Sequence, residues 1–318
     1  MTAGLRVVFL GSPPFGASVL EAVARSDHDL AAVVTRPDRP RGRGRKTSPS
    51  PVAQVAEKAG IPLLRPERVG DPDCIAALEA HTPDLGVVVA FGQFIPKRAR
   101  ELPRLGYLIN AHASLLPRHR GAAPIAHAIL AGDSTTGVSV MRVERQMDAG
   151  PVALVRETPI GEDEEAGSLM ERLGRLAADA IADTTLEVAA GTVVWTDQDP
   201  ARATLAPKID KRDARLDFRL EASFLVRQIR ALAPSPGAVT TLKEESLRIL
   251  AATMRAGSAT EAPGTLRRDG DGSLQIATGD GWLIPTRIQR PGGKPLDVAA
   301  FLRGRPIEEG SVLGGDDR

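Results

Sequence analysis

The sequence has 318 residues, of which 42% are hydrophobic and 25% are charged, and its formal net charge is +1. This balance is ordinary for a soluble globular protein, and the small net charge excludes a general attraction to polyanions. The single cysteine, Cys74, excludes an internal disulfide and any metal site built from several cysteines, and no apolar run approaches the roughly 20 residues needed to span a membrane.

The length suits two domains with a substantial hydrophobic core. The first residues lead directly into an apolar run, without a secretory or transit signal, and the lone cysteine fits a reducing compartment. We therefore expect a cytoplasmic protein.

Apolar runs and helical periodicity alternate along the first half of the chain. Strands are predicted at residues 6–10, 30–35 and 84–90, and helices at residues 17–25 and 51–59. This alternation predicts a doubly wound parallel sheet of the α/β class. The first turn lacks the middle glycine of a dinucleotide-binding motif and the lysine of a phosphate-binding loop, which excludes a nicotinamide or ATP site there.

Residues 36–46 read R-P-D-R-P-R-G-R-G-R-K and carry five arginines and one lysine against one aspartate. Their two prolines and two glycines predict a loop that joins neither a helix nor a strand. Such a loop is either a solvated surface segment or a basic arm that grips phosphates. The basic residues that are candidates for nucleic-acid contact here are Arg39, Arg41, Arg43, Arg45 and Lys46.

The stretch most suited to chemistry, residues 110–121, reads N-A-H-A-S-L-L-P-R-H-R-G and follows a short apolar run. Asn110 and His112 are two apart, so in a strand they project from the same face, beside the loop that begins at Ser114. A carboxamide can donate hydrogen bonds to an oxygen that becomes negative when a carbonyl is attacked, and a histidine can move a proton near neutral pH. The alternative is that both side chains only satisfy backbone groups.

Two further turns follow predicted strands. Phe91-Gly92-Gln93, after the third predicted strand, suits a ligand-facing loop but also an ordinary strand end. Asp148 lies in the sequence Q-M-D-A-G, after a predicted strand at residues 137–144, and Asp-x-Gly commonly makes only a turn. No H-x-x-x-H or carboxylate–histidine cluster occurs, so no metal site is predicted.

The character of the chain changes in its second half. Residues 166–190 predict a long amphipathic helix and residues 191–207 an extended linker. A predicted helix at 224–233 is followed by short β-like runs with turn signals, which indicates a small OB-like β-barrel. The predicted division is thus a catalytic domain at 1–190, the linker, and a second domain at 208–318. The basic residues of this region that could contact an RNA backbone are Lys208, Lys211, Arg212, Arg287, Arg290 and Lys294.

The string Ser114-Leu115-Leu116-Pro117, followed by Arg118, Arg120 and Gly121, resembles the signature of the folate-dependent formyltransferases. Members of that family move a formyl group from 10-formyltetrahydrofolate to an amine. The resemblance implies that Asn110 and His112 stabilise the oxyanion of a tetrahedral intermediate. It also implies that Asp148 holds His112 and helps to take the proton from the attacking nitrogen. The folate-binding residues that it implies are Phe91, Gly92, Gln93, Ser114, Leu115, Leu116 and Pro117.

Part of the basic stretch adds a second resemblance. Pro37-Asp38-Arg39-Pro40 and Gly42-Arg43-Gly44 are similar to a loop inserted in the branch of the family that formylates methionyl-tRNA. There the loop enters the acceptor end of the tRNA, which implies this role for Arg43. Ala113 and His119 depart from the family's usual glycine and aromatic residue, and these departures affect fine loop contacts rather than the chemistry.

The expected activity is therefore formyl transfer from 10-formyltetrahydrofolate to the α-amino group of initiator methionyl-tRNA, without a membrane or an obligate protein partner. Three alternatives stay open. A formyltransferase acting on a purine precursor or an amino sugar would need neither the basic loop nor the barrel. A hydrolase would use water as the acceptor, and an RNA-binding protein with a decayed enzyme domain would show no turnover.

Overall fold

The computed structural model describes two compact units. Residues 191–207, predicted as a linker, belong to the first unit by their contacts, and the predicted domain division stays a prediction. The first unit comprises Met1–Pro124, Thr135–Pro159 and Met170–Pro207, and the second comprises Ile125–Ser134, Ile160–Leu169 and Lys208–Arg318. Within these units the structure describes residues 4–41, 46–243, 245–257, 259–269 and 273–314.

Strands and helices alternate in the first part of the chain, as the apolar pattern predicts. Up to residue 190 the elements are β1 (Arg6–Gly11), α1 (Pro14–Ala24), β2 (Asp29–Val34), β3 (Arg39–Arg41), β4 (Lys46–Ser48), α2 (Pro51–Ala59), β5 (Leu63–Leu64), α3 (Pro72–Ala80), β6 (Leu85–Val89), α4 (Lys97–Arg100), β7 (Leu108–His112), α5 (Pro124–Ala131), β8 (Thr135–Arg142), β9 (Val152–Pro159) and α6 (Ala166–Ala190).

The first unit is built on a seven-stranded sheet in the order β5-β2-β1-β6-β7-β8-β9. The first five strands of that order run parallel, whereas β8 pairs antiparallel with both β7 and β9. The predicted doubly wound α/β sheet is confirmed. The antiparallel orientation of β8 at its edge was not predicted from the sequence pattern. Phe9, Leu85 and Ile109 are fully buried in its centre.

The strand order creates a crevice at one edge of this sheet. From β1 the chain moves outward through β2 to β5, and then returns to β6 on the other side of β1. Open α/β sheets bind ligands beside the carboxyl ends of the strands where the order reverses in this way. The next strand, β7, ends at His112, so the predicted catalytic stretch lies close to the reversal.

The prediction that residues 36–46 join no strand is wrong for residues 39–41 and for residue 46. β3 pairs antiparallel with β4, and Pro40 lies opposite Thr47. A two-stranded ribbon tolerates a proline because every second N–H points away from the partner strand and needs no acceptor there. Arg43 and Arg45 lie outside the described residues.

The second unit is built on an antiparallel sheet. Its remaining strands are in the order β10-β11-β14-β13-β12, and β15 pairs with β14. Leu313 bridges to Leu242 and Val312 to Thr265, so one segment joins both edges and closes the sheet. The predicted small C-terminal barrel is confirmed. Its elements are α7 (Ala222–Leu232), β10 (Ala238–Leu242), β11 (Glu245–Ala256), β12 (Leu266–Arg268), β13 (Leu274–Ala277), β14 (Gly281–Gln289), β15 (Leu296–Asp297) and α8 (Val298–Gly304).

Across the described part of the chain, no helix is both long and apolar enough to cross a bilayer.

Candidate active site

Asn110 and His112 lie at the carboxyl end of β7, as the period of two predicts. Asn110 is half-buried and His112 is buried, and both lie on the same side of the strand. The carboxamide of Asn110 forms no hydrogen bond with any other group in the described residues. Its two N–H bonds are therefore available to an oxygen of a substrate.

The imidazole of His112 is held in one tautomer. Its Nε2 lies 2.9 Å from the backbone carbonyl oxygen of His119. Because a carbonyl oxygen only accepts, Nε2 must carry the hydrogen, and in the neutral ring Nδ1 is then unprotonated. Nδ1 faces the carboxylate of Asp148 at 3.7 Å. A proton that reaches His112 therefore binds at Nδ1, beside a negative charge.

Asp148 lies in a tight turn after β8, as its D-x-G sequence predicts. Its φ is +51°, a left-handed conformation that aspartate tolerates better than most residues. One carboxylate oxygen accepts a 2.8 Å hydrogen bond from the backbone N–H of Gly121. The 3.7 Å separation from His112 exceeds a hydrogen bond but lies within ion-pair reach. The hydrogen bond expected between the two side chains stays a prediction.

The loop formed by Ser114, Leu115, Leu116 and Pro117 is fixed by buried hydroxyl groups. Ser114 is fully buried, and its hydroxyl donates to the carbonyl oxygen of Arg118 at 2.6 Å. The hydroxyl of Ser139 in β8 donates to the carbonyl oxygen of Ser114 and accepts from the N–H of Leu116, at 2.8 and 3.0 Å. The serine side chain is therefore used inside the protein, and the loop offers its shape and its leucine side chains to a ligand.

The turn of Phe91, Gly92 and Gln93 follows β6 at the crevice. Phe91 is buried, and its carbonyl oxygen accepts a 3.4 Å hydrogen bond from the hydroxyl of Ser12. The carboxamide of Gln93 is hydrogen-bonded to the backbone through both its oxygen and its nitrogen. The oxygen accepts from the N–H of Val69 at 2.8 Å, and the nitrogen donates to the carbonyl oxygen of Pro66 at 3.0 Å. The Gln93 side chain and the Phe91 carbonyl are therefore engaged within the protein, and the other backbone groups of the turn are left for contact with a ligand.

The sequence pattern missed a further part of the site, within residues 191–207. The N–H of Arg120 donates to the carbonyl of Thr204 at 2.9 Å, and the N–H of Ala206 donates to the carbonyl of Arg120 at 2.7 Å. A Cβ on Gly121 would overlap the carbonyl oxygen of Ala206. The predicted linker therefore adds a short parallel segment to the catalytic loop. The prolines and glycines that suggested a linker give no signal of this pairing.

Two family models match nearly the whole chain. Residues 5–185 match the model described as formyl transferase, and residues 208–306 match its C-terminal domain model. The chain belongs to the formyl transferase family.

Relatives of this formyl transferase align along its full length. A methionyl-tRNA formyltransferase of Ectopseudomonas mendocina is 46% identical, with 99% of this chain and 100% of the relative covered. One of Citrifermentans bemidjiense is 40% identical, with 99% and 98% covered. Both alignments include the basic stretch and the C-terminal unit.

Solved structures of low identity share the fold. HypX from Aquifex aeolicus in complex with tetrahydrofolic acid matches 96% of this formyl transferase, and this match covers 48% of HypX, at 17% identity and a TM-score of 0.63. WlaRD, a sugar 3N-formyl transferase, matches 91% of it, at 15% identity and a TM-score of 0.65, with 99% of WlaRD covered. At these identities the likeness concerns the fold alone.

The predicted RNA-contacting residues of the formyl transferase differ in how their charges are balanced. Arg39 forms an ion pair with Glu67 at 3.5 Å, and Arg212 forms one with Asp210 at 3.3 Å. The N–H of Arg212 also bonds to Asp210 and holds the pKa of that carboxyl below its usual value. Arg287 and Arg290 pair with Glu165 and Glu245. Among the described residues, Lys208, Lys211 and Lys294 form no ion pair and are exposed.

In the described ranges of the formyl transferase, no three His, Cys, Asp or Glu side chains lie close enough together to hold a metal ion.

Proposed function

We propose that this formyl transferase transfers the formyl group of 10-formyltetrahydrofolate to the α-amino group of methionine on initiator tRNA. The observation that carries the proposal is the alignment over 99% of the chain with relatives named methionyl-tRNA formyltransferase, at 40–46% identity. Such an alignment includes both units of the chain.

The catalytic roles are proposed from the arrangement of three side chains. The free amine attacks the formyl carbon, a C–N bond forms, and the carbonyl oxygen becomes an oxyanion. The unpaired N–H bonds of Asn110 suit donation to that oxygen. The attacking nitrogen loses its proton, directly or through water, to the Asp148–His112 pair. With Asp148 as the carboxylate that receives and passes it on, the proton is held at Nδ1 of His112, and the positive imidazole stabilises the oxyanion.

The second half of the reaction releases the folate. The tetrahedral intermediate collapses, the bond from its carbon to N10 of tetrahydrofolate breaks, and that nitrogen gains the proton that the Asp148–His112 pair took from the amine. The folate is a co-substrate and needs no metal for this transfer. We assign its pterin ring to the backbone of Phe91, Gly92 and Gln93, and its neighbouring part to the loop of Ser114, Leu115, Leu116 and Pro117.

The proposal is tested by formyl transfer with several acceptors in parallel. The purified protein and 10-formyltetrahydrofolate are mixed with methionine charged on initiator tRNA, with the same amino acid on elongator tRNA, with free methionine, or without an acceptor. Formylation of the initiator species alone supports the proposal. Formate release without an acceptor indicates a hydrolase, and no reaction with any of them indicates a sugar or purine acceptor or a binding protein.

Two statements about the cellular setting belong to the same proposal. We place the enzyme in the cytoplasm, where charged initiator tRNA is used, and we assign it no obligate protein partner. A size-exclusion profile of the active protein tests the second statement, because a required partner would co-purify with activity.

A further inference from the structure

The side chain of Gln198 connects two parts of the active site that are distant in sequence. Its Nε2 donates to the carbonyl oxygens of Asp148 and Gly150, at 2.9 and 2.7 Å. Its Oε1 accepts from Nε and Nη2 of Arg120, at 3.0 and 2.7 Å. One carboxamide thus joins the turn that carries the proposed acid–base group to the loop after His112.

The chemistry of these partners requires a carboxamide. A guanidinium only donates and a backbone carbonyl only accepts, so the group between them must accept at one end and donate at the other. Glutamine does both with its amide held in one orientation. Glutamate would keep the bond to Arg120 but would place a charged oxygen against the two carbonyl oxygens.

The position of Gln198 is fixed on both sides along the chain. Before it, Thr196 exchanges two backbone hydrogen bonds with Val152, at 2.8 and 2.9 Å. After it, Thr204 and Ala206 bond to the backbone of Arg120. The carboxamide is therefore presented from an anchored segment rather than from a free linker.

The Asp148 carboxylate depends on both parts that Gln198 connects. Its backbone carbonyl is bound by Gln198, and its side chain is bound by the N–H of Gly121, the residue after Arg120. The left-handed φ of Asp148 is a strained conformation that the surrounding contacts must maintain. We infer that Gln198 is a positioning residue, which sets the distance between the Asp148 carboxylate and Nδ1 of His112.

The inference rests on the proposed role of Asp148 and is tested through it. Gln198→Met keeps the length of the side chain but removes the amide, and Gln198→Glu removes only the donating end. For both variants we expect kcat to fall about tenfold to 100-fold, because a small misplacement of a reacting group has this cost. KM for each substrate should stay within about twofold of wild type, since the contacts to the substrates are unchanged.

A double-mutant cycle separates positioning from a merely structural role. In an Asp148→Asn background, Gln198→Met should lower kcat by less than about twofold further, because the group that it positions is already lost. Multiplicative losses would overturn the inference, and so would a single variant, Met or Glu, with a wild-type kcat. If Asp148→Asn itself turns over normally, the proposed catalytic role fails instead.

Controls address folding and the segment itself. Val194→Ala truncates an exposed side chain of the same segment and should leave kcat unchanged. Thermal unfolding of every variant is measured first. If Gln198→Met does not fold, Gln198→Asn replaces it, because its side chain is one methylene too short to reach both partners. The same fall in kcat is expected, and a wild-type kcat would overturn the inference.

Discussion

At the residue scale, the chemistry depends on which nitrogen of His112 carries the hydrogen. The carbonyl of His119 fixes that hydrogen on Nε2, so Nδ1 is the position that gains and loses a proton. The carboxylate of Asp148 faces Nδ1 and is buried enough to act without much screening by solvent. A carboxylate at this place is positioned to compensate the charge of the imidazole when Nδ1 holds a proton.

This pairing predicts the result of Asp148→Asn. Asparagine keeps an oxygen that accepts from Gly121 but loses the charge, so we expect kcat to fall about 100-fold or more. Binding of the folate, measured by fluorescence or calorimetry, should change by less than about twofold, since the folate contacts lie elsewhere. Normal turnover in this variant would contradict the proposed triad.

Asp84 shows how a single carboxylate joins two strands. It lies just before β6, accepts from the N–H of Arg6 at 2.9 Å and pairs with Arg104 at 2.7 Å. The bond from the N–H of Arg6, with the help of Arg104, lowers the pKa of Asp84. Because the pKa of Asp84 is lower in the folded protein than in the unfolded chain, its ionised form stabilises the fold at pH values above about 4, the pKa in the unfolded chain. This contribution is lost as the pH falls through the lower pKa of the folded state.

We therefore expect Asp84→Asn to lower the free energy of unfolding by about 1 kcal/mol at neutral pH, since it removes a charged acceptor. The difference from wild type should shrink as the pH falls below about 4, where the wild-type carboxyl also becomes neutral. Urea unfolding at several pH values measures this. Asp179→Asn, an exposed change in α6, should show no such pH-dependent difference, and an equal difference there would contradict the assignment.

At the scale of elements, the catalytic loop is stabilised by a neighbour that is distant in sequence. Residues 204–206 run beside residues 119–121, and the contact is close because Gly121 has no side chain. Its φ of +131° also lies in a region that favours glycine. The geometry of the loop and that of the following segment are therefore determined together.

Gly121→Ala should separate these two segments. We expect the free energy of unfolding to fall by about 2 to 3 kcal/mol, because the new methyl group meets a backbone carbonyl and the φ is strained. Activity should fall with it, as the N–H that binds Asp148 moves. Gly106→Ala, at φ +77° with open space around it, isolates the backbone cost and should lose only about 1 kcal/mol. Equal losses in both variants would contradict a role for the contact.

The elements with strong periodicity were predictable from the sequence. The helices at 51–59 and 166–190 have the bounds that the sequence predicts, and Ser50 caps the first of them. The period of two along β7 placed Asn110 and His112 on one face. These features depend on residues near each other in the chain.

Long-range pairing was not predictable in the same way. The bonds of Gln198 to Arg120 and to the 148–150 turn join residues 48 to 78 positions apart, and no local pattern reports them. The ribbon of β3 and β4 was missed because its prolines and glycines outweigh its weak strand signal. The 3.7 Å separation between His112 and Asp148 likewise depends on the pairing of β7 with β8, which no local pattern specifies.

At the scale of the whole molecule, a net charge of only +1 means that RNA contact depends on particular cations. Cations that already pair with a carboxylate have less charge to offer a phosphate. Arg39, Arg212, Arg287 and Arg290 are paired in this way, whereas Lys208 and Lys211 are exposed at the start of the second unit. The two lysines are therefore stronger candidates than these four paired arginines.

The variant with Lys208→Ala and Lys211→Ala tests this assignment. If each lysine neutralises one phosphate, the slope of log affinity against log salt should become shallower by about 1 to 2, because fewer counterions are released. The loss of affinity should be equal for initiator and elongator tRNA, since phosphate contacts carry no sequence information. Folate binding should stay unchanged.

Lys243→Ala is the matched control, because Lys243 pairs with Glu308 at 2.8 Å, and it should leave the slope as in wild type. An unchanged slope in the double variant would mean that the second unit meets the tRNA through other residues, and a change in folate binding would place the lysines at the active site instead.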